Sequence, residues 1–235
     1  MKSLRLNRED VEKGILLVVD KPAGWTSFDV VNKIRTVLRK RFGIKKLKVG
    51  HAGTLDPIAT GVLVIGIGPA TKKLGKLQAD DKSYEGIIRL GATTPSYDAE
   101  TQPDAFYPYE HLTPEIIKKT AGRFTGEIRQ FPPPYSAVKH KGKKLYEYAR
   151  EGTPPPLKER KVFIKNFEIK DIHLPDIYFS ADVSKGTYIR SLAHDFGKAL
   201  GTGGYLQELK RTRSGNFHLH DAVNLFEWVK HNQPA

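Results

Sequence analysis

The chain has 235 residues, 39 of them lysine or arginine and 26 aspartate or glutamate, giving a formal charge of +13 and a pI near 9.7. That length can bury a sizeable core as one large domain or two small ones, and a basic excess on this scale favours a polyanionic partner, nucleic acid ahead of a membrane. The absence of cysteine excludes disulfides and thiolate metal sites. The N-terminus, MKSLRLNREDVEKG, carries no apolar run of signal-peptide length, and no apolar stretch could cross a bilayer, so a cytoplasmic protein is expected.

Residues 14–20, GILLVVD, read as a short buried strand that Lys21-Pro22-Ala23-Gly24 ends. Thr26 and Ser27 are candidate helix N-caps, with Asp29 near the positive end of the dipole. Val30, Val31, Ile34, Val37 and Leu38 follow at helical spacing. The opposite face and its continuation carry Lys33, Arg35, Arg39, Lys40, Arg41, Lys45, Lys46 and Lys48. This basic run leads into residues 49–61, VGHAGTLDPIATG, where Gly50, Gly53 and Gly61 permit unusual backbone conformations and Pro57 fixes the residue after Asp56. Asp-Pro in a turn is most often an Asx-type turn. A lone carboxylate in a stiff loop can also be a nucleophile, a base or a buried cap. Residues 62–67 lead out as a buried strand.

Residues 82–90, KSYEGIIRL, alternate as a strand should, and residues 92–110 read as an exposed loop. Thr113-Pro114-Glu115 opens a helix with proline at its first position, buries Ile116, Ile117 and Ala121, and ends at Gly122. The proline run at 132–134 cannot continue a helix or enter a central strand. It introduces a basic, aromatic excursion spanning 131–157. There Tyr146 and Tyr148 interleave with Lys139, Lys141, Lys143 and Lys144, a pattern suited equally to stacking and phosphate contact on RNA or to packing on the body. Residues 161–169 and 177–183 read as strands. After a turn at Gly186, Tyr188-Ile189-Arg190 ends a strand, residues 191–200 form a helix, and glycines at 201–204 terminate it. Residues 206–213 add a basic run, and the tail is at most a short amphipathic helix. No repeat, low-complexity segment or linker divides the chain, so one domain over 1–235 is expected. Strands scattered among helices without regular alternation favour an α+β class.

Several chemistries lack their motifs. Residues 68–77, GPATKKLGKL, satisfy neither G-x-x-x-x-G-K-[ST] nor G-x-G-x-x-G. No HExxH accompanies the eight histidines, and no G-x-S-x-G elbow is present. The first strand is not followed by the glycine-rich loop a methyltransferase would use for its cofactor. What remains is one conspicuous aspartate, a nearby histidine, separated Tyr and Arg candidates, and much positive charge. An enzyme acting on a nucleobase must extract it from its stack into an aromatic and apolar pocket, and a carboxylate can act there without any cofactor.

Five separated blocks resemble the TruB family of tRNA pseudouridine-55 synthases: GILLVVDKPAGWTS, GHAGTLDPIATGVLVIGIGPATK, KSYEGIIRLGATT, PPPYSAVKHKGKKLYEYAREG and SKGTYIRSLAHDFGKALGTGGYLQELKRTRSG. They occur in family order and cover most of residues 14–217. The resemblance implies the pseudouridine synthase fold, a mixed, largely antiparallel sheet with flanking helices and an inserted RNA-binding excursion. It implies isomerisation of the uridine at position 55, in the T-loop of tRNA, by a monomer that contacts the T-arm and uses no cofactor or metal. Asp56 falls on the aspartate that assists cleavage of the glycosidic bond. Arg190 matches the arginine that pairs with it; an opposite charge keeps a desolvated carboxylate ionised. Tyr84 matches the tyrosine that stacks on the flipped base, and His51 the histidine that helps displace it. Tyr188 and Leu209 match positions lining the uridine pocket, and Lys72 supports the site or a phosphate.

Two features depart from the family pattern. The chain ends too early for a full C-terminal PUA domain, so the basic body is expected to carry more of the RNA affinity. Residues 92–102 read ATTPSYDAETQ where the family often has T-D-T-x-D-x-x-G; Pro95 and Glu100 break that pattern while Asp98 remains. Two competing readings are a guide-RNA-dependent rRNA pseudouridine synthase and an RNA-binding or tRNA-folding module.

Overall fold

The apolar run after Gly14 forms strand Ile15–Lys21, which pairs antiparallel with Thr60–Ile67 from Ile15 opposite Ile67 to Lys21 opposite Gly61. The computed structural model describes residues 5–136, 138–153 and 155–233. The chain divides into two units, residues 1–83 with 210–235 and residues 84–209, the division falling within strands Lys82–Leu90 and Gly204–Ser214.

In the first unit, Thr60–Ile67 is buried on both faces, as its unbroken apolar sequence requires. Leu63, Ile65 and Ile67 point to one side, where helix Ser27–Phe42 lays down Val30, Val31, Ile34, Val37 and Leu38. Helix Leu225–Asn232, the tail, adds Leu225, Trp228 and Val229 to the same core. Val62 and Val64 point the other way, toward Val18, Ala52 and Leu74. Strand Val49–His51 runs antiparallel along Thr60–Ile67. Lys210 and Arg211 pair parallel with Thr60 and Gly61. The helix begins with a capping box between Thr26 and Asp29 and ends at Gly43 in the left-handed conformation. A shorter helix, Arg8–Lys13, was not expected from the sequence; Asn7 and Asp10 cap it reciprocally.

In the second unit, Arg160–His173 and Asp176–Val183 form an antiparallel pair with Gly126–Gln130 on the outer side of the first. Lys82–Leu90 lies beside Asp176–Val183, tied to it by the Arg89 fork on the Asp176 carboxylate, 2.7 Å at both oxygens. Helices Pro114–Gly122 and Ile189–Leu200 cover this sheet. Between helix and sheet the rings of Phe124, Phe167, Phe179 and Phe196 meet edge to face. In both units the pairing is largely antiparallel and the helices flank it, the mixed α+β arrangement that the scattered strands imply.

Residues 92–110 are not simply an exposed loop, since Ala92, Thr94, Ser96 and Asp98 are buried, and Ile116 is exposed rather than on the buried side of its helix; the place of Arg190 is also revised. The strand at 177–183 ends at Val183, and Arg190 sits in the first turn of helix Ile189–Leu200, with Tyr188 as its N-cap. The basic run at 206–213 belongs to a strand. The 131–157 excursion is a two-residue hairpin, Lys139–His140 with Lys143–Lys144, followed by helix Leu145–Arg150; residues 137 and 154 and the Lys139 side chain lie outside the described part. No helix among the described residues is long and apolar enough to cross a membrane.

Candidate active site

The loop bearing Asp56 is fastened to the first unit through backbone groups on both sides of the aspartate. The Ser27 hydroxyl accepts from Leu55 N at 2.8 Å and donates to Leu55 O at 3.1 Å. On the other side, Pro57 O accepts from Gly24 N at 2.8 Å and from Lys21 Nζ at 3.3 Å. Lys21 is fully buried and also bonds Pro22 O and Trp25 O. A buried ammonium is tolerated only when polar groups replace its hydration, and here those groups are the carbonyls that set the course of residues 22–25 and 57. Thr26, not Ser27, is the side-chain cap of the helix, which frees the Ser27 hydroxyl for Leu55.

Arg211 holds the loop from a third direction. The residue is 1% exposed. It donates from Nε to Val62 O at 2.7 Å and from Nη2 to Gly53 O at 3.1 Å. Gly61, at φ +98, lies so close to Arg211 that a Cβ there would stand 2.2 Å from its carbonyl oxygen. Ala59 N closes the turn on Asp56 O at 3.1 Å. The Asp56 carboxylate is thus carried on a backbone that cannot shift without breaking buried hydrogen bonds. His51, at the end of strand Val49–His51, is half-buried. Desolvation, then the nearby Arg211 charge, hold its imidazole below the usual histidine pKa, so it is neutral at physiological pH. Lys72 is exposed on the 3₁₀ turn Gly68–Lys73 and lines a groove of about 620 Å³ with Arg8, Lys45, Lys46 and Lys48, whose lining includes neither His51 nor Asp56.

The second unit carries Tyr84, Tyr188, Arg190 and Leu209. Tyr84 and Leu209 are buried, and Tyr188 is half-buried. Helix Ile189–Leu200 has no side-chain cap of its own residue at Tyr188. Instead the buried Gln130 amide brackets Tyr188, accepting from its N–H at 3.1 Å and donating to its carbonyl at 3.3 Å. Ser191 Oγ donates to Phe131 O at 2.7 Å. Arg190, 5% exposed, donates to Ser96 O at 3.2 Å and Tyr135 O at 3.1 Å. Its Nε lies 3.4 Å from the fully buried Asp98 carboxylate, which also accepts from Ser96 Oγ at 2.5 Å and Glu100 N at 3.0 Å. Asp98, left without a role by the sequence, is therefore part of the arginine's setting.

In the excursion, the cations and rings engage one another. Lys143 pairs with Glu151 and sits over the Tyr148 ring, and Lys144 sits over Tyr146. Lys141 is exposed, in the left-handed conformation at φ +48.

A family model described as TruB family pseudouridylate synthase (N terminal domain) matches residues 39–189. A second, the tRNA pseudouridylate synthase B C-terminal domain, matches residues 190–231. A curated relative from Flavobacterium johnsoniae, tRNA pseudouridine synthase B, is 48% identical over 92% of this chain and 95% of its own. The protein of the same name from Chloroherpeton thalassium is 50% identical over 89% and 86%. Among solved structures, a Cbf5–Nop10–Gar1 complex superposes with a TM-score of 0.73 at 31% identity, over 96% of this chain and 56% of that one. An H/ACA RNP bound to a substrate RNA containing 2'-deoxyuridine gives 0.69 at 27%, over 98% and 62%. The chain thus spans less than two thirds of those larger proteins. Fold and relatives together define a pseudouridine synthase. The chain belongs to the TruB family.

Proposed function

We propose that this chain isomerises the uridine at position 55, in the T-loop of tRNA, to pseudouridine, acting alone on the T-arm as a cytoplasmic monomer with no cofactor or metal. In this reading the target base leaves its stack, His51 fills the gap, and the uracil enters a site lined by Tyr84, Tyr188 and Leu209. Asp56 assists breakage of the N1–C1' bond. The uracil turns, C5 bonds to C1', the proton on C5 departs with help from Tyr84, and N1 gains one, so substrate and product are isomers. Arg190 serves as the arginine that the resemblance pairs with the aspartate, and Lys72 supports the site or a phosphate.

The observation that carries this reading is the fastening of the loop at Leu55 and Pro57. A carboxylate that must meet a flipped base needs a fixed backbone on both sides, because misplacement by about 1 Å can cost a hundredfold in rate. An ordinary Asx-type turn needs no buried lysine, serine and arginine to hold it.

Purified protein incubated with unmodified tRNA, followed by mapping of pseudouridine, tests the proposal. Product at position 55 without any second RNA is expected, and none in Asp56→Asn despite retained tRNA binding. Product only when a guide RNA is added would replace this reading with the guide-dependent one. Full isomerisation by Asp56→Asn would remove Asp56 from the mechanism.

A further inference from the structure

Tyr97 is held at φ +65, one of two non-glycine residues with positive φ among those described. Bulky residues avoid this region because Cβ crowds the following carbonyl. A tyrosine kept there marks a turn that its surroundings over-determine. Tyr97 N donates to Thr94 O at 3.1 Å, Leu206 N donates to Tyr97 O at 3.0 Å, and Thr94 Oγ1 donates to Asp98 O at 2.8 Å.

The residues on either side of Tyr97 are the ones that meet Arg190: Ser96 through its carbonyl and Asp98 through its carboxylate. Four residues after Arg190, one helical turn along Ile189–Leu200 and on the same face, stands His194. The Tyr97 ring lies flat on its imidazole, with centroids 3.8 Å apart and 10° between planes. Helix and turn are therefore joined twice, by Arg190 gripping residues 96 and 98 and by His194 holding residue 97 between them. His194 Nδ1 is buried without a hydrogen-bond partner. Burial and then Lys198 lower its pKa, against a smaller opposing effect of Asp104, so the ring is neutral. Its part is played through the stack.

We infer that Tyr97 and His194 form a clamp that fixes the orientation of the Arg190 guanidinium, which makes both of them positioning residues. The inference rests on the role proposed above for Arg190. A guanidinium is a rigid planar fork whose bonds depend on angle as well as distance. Without the stack, the turn keeps its own hydrogen bonds but loses its second attachment to helix Ile189–Leu200, so Ser96 O and Asp98 shift relative to Arg190.

The test uses the full chain and four variants: Tyr97→Gly, Tyr97→Phe, His194→Ala and His194→Phe. Glycine accepts the left-handed conformation without steric cost, so Tyr97→Gly removes the ring while sparing the turn. The Arg190 Nε–H resonance should be sharp in wild type and in both phenylalanine variants, and shifted or broadened in Tyr97→Gly and His194→Ala. Single-turnover pseudouridine formation at saturating tRNA should fall about tenfold or more in those two variants, with the tRNA Kd unchanged, and should recover in the phenylalanine variants. An Arg190 resonance unaltered by Tyr97→Gly overturns the clamp, as does a rate loss that Tyr97→Phe shares in full. If wild type forms no pseudouridine, the functional reading fails while the Arg190 resonance still decides the clamp.

Discussion

The Ser27 hydroxyl serves both backbone groups of Leu55, accepting from its N–H and donating to its C=O across 28 residues of chain. Ser27→Ala leaves both groups of a buried residue without this partner, at a cost of about 1–3 kcal/mol for such unsatisfied groups. Thermal unfolding should show a Tm lowered by several degrees. Pseudouridine formation should fall by more than the loss of folded protein explains, because Leu55 precedes Asp56. A variant with wild-type Tm and rate would mean that the loop is held without Ser27.

Gly61→Ala should be among the most damaging single substitutions in the chain. It places a Cβ where the Arg211 backbone already stands and imposes a positive φ on an L-residue. About 3 kcal/mol or more of destabilisation is expected, read by urea unfolding of soluble protein or by loss of soluble expression. Gly24→Ala is the control: its φ is also positive, but nothing lies within 4 Å of a Cβ there, so it should cost less.

Stability should depend on pH through Asp195. Burial raises its pKa to about 6, with Lys198 opposing, against an unfolded value near 3.9. The folded state therefore binds more protons than the unfolded state between those values, and stability contributed by the neutral carboxyl is lost as pH rises through about 6. Asp195→Asn keeps a neutral group at every pH. It should match wild type near pH 4 and exceed it in Tm at pH 7.5. Equal Tm differences at both pH values would refute the assignment. His194 works in the opposite sense: with its folded pKa depressed, its contribution is present above pH 6.5 and is lost on acidification.

Replacing Lys139, Lys141, Lys143 and Lys144 together with alanine should weaken tRNA binding and flatten its salt dependence. Each phosphate contact contributes about 0.7–0.9 to the slope of log K against log salt. Lys143 already pairs with Glu151, so the slope should fall by about two to three rather than by the full four contacts. Filter binding across a salt series measures it, and an unchanged slope would exclude the excursion from the RNA interface.

What the sequence made legible was what local pattern determines. Lys82–Leu90 alternates and is a strand over those residues; Thr113-Pro114 opens the helix that Pro114–Gly122 forms. Local pattern puts Arg190 at a strand end because the usual helix start signal is missing: Tyr188 offers no capping side chain, and Gln130, 58 residues earlier, takes its place. Lys21 and Arg211 look like surface charges in any local window. Their partners are carbonyls far along the chain, as with Val62, 149 residues from Arg211, and composition carries no trace of that. Asp98 was visible as a surviving family residue, but its burial beside Arg190 depends on the turn around Tyr97, a position with no sequence signal of its own.

The fastening of the Asp56 loop also joins segments far apart along the chain. Arg211, which anchors Gly53 and Val62, follows them by 158 and 149 residues and so is synthesised well after the aspartate. A nascent or truncated chain ending before Arg211 would carry Asp56 on a loop that lacks this anchor and keeps only those at Leu55 and Pro57. In the proposed reading, the Asp56 loop is therefore fully set only once Arg211 has been made.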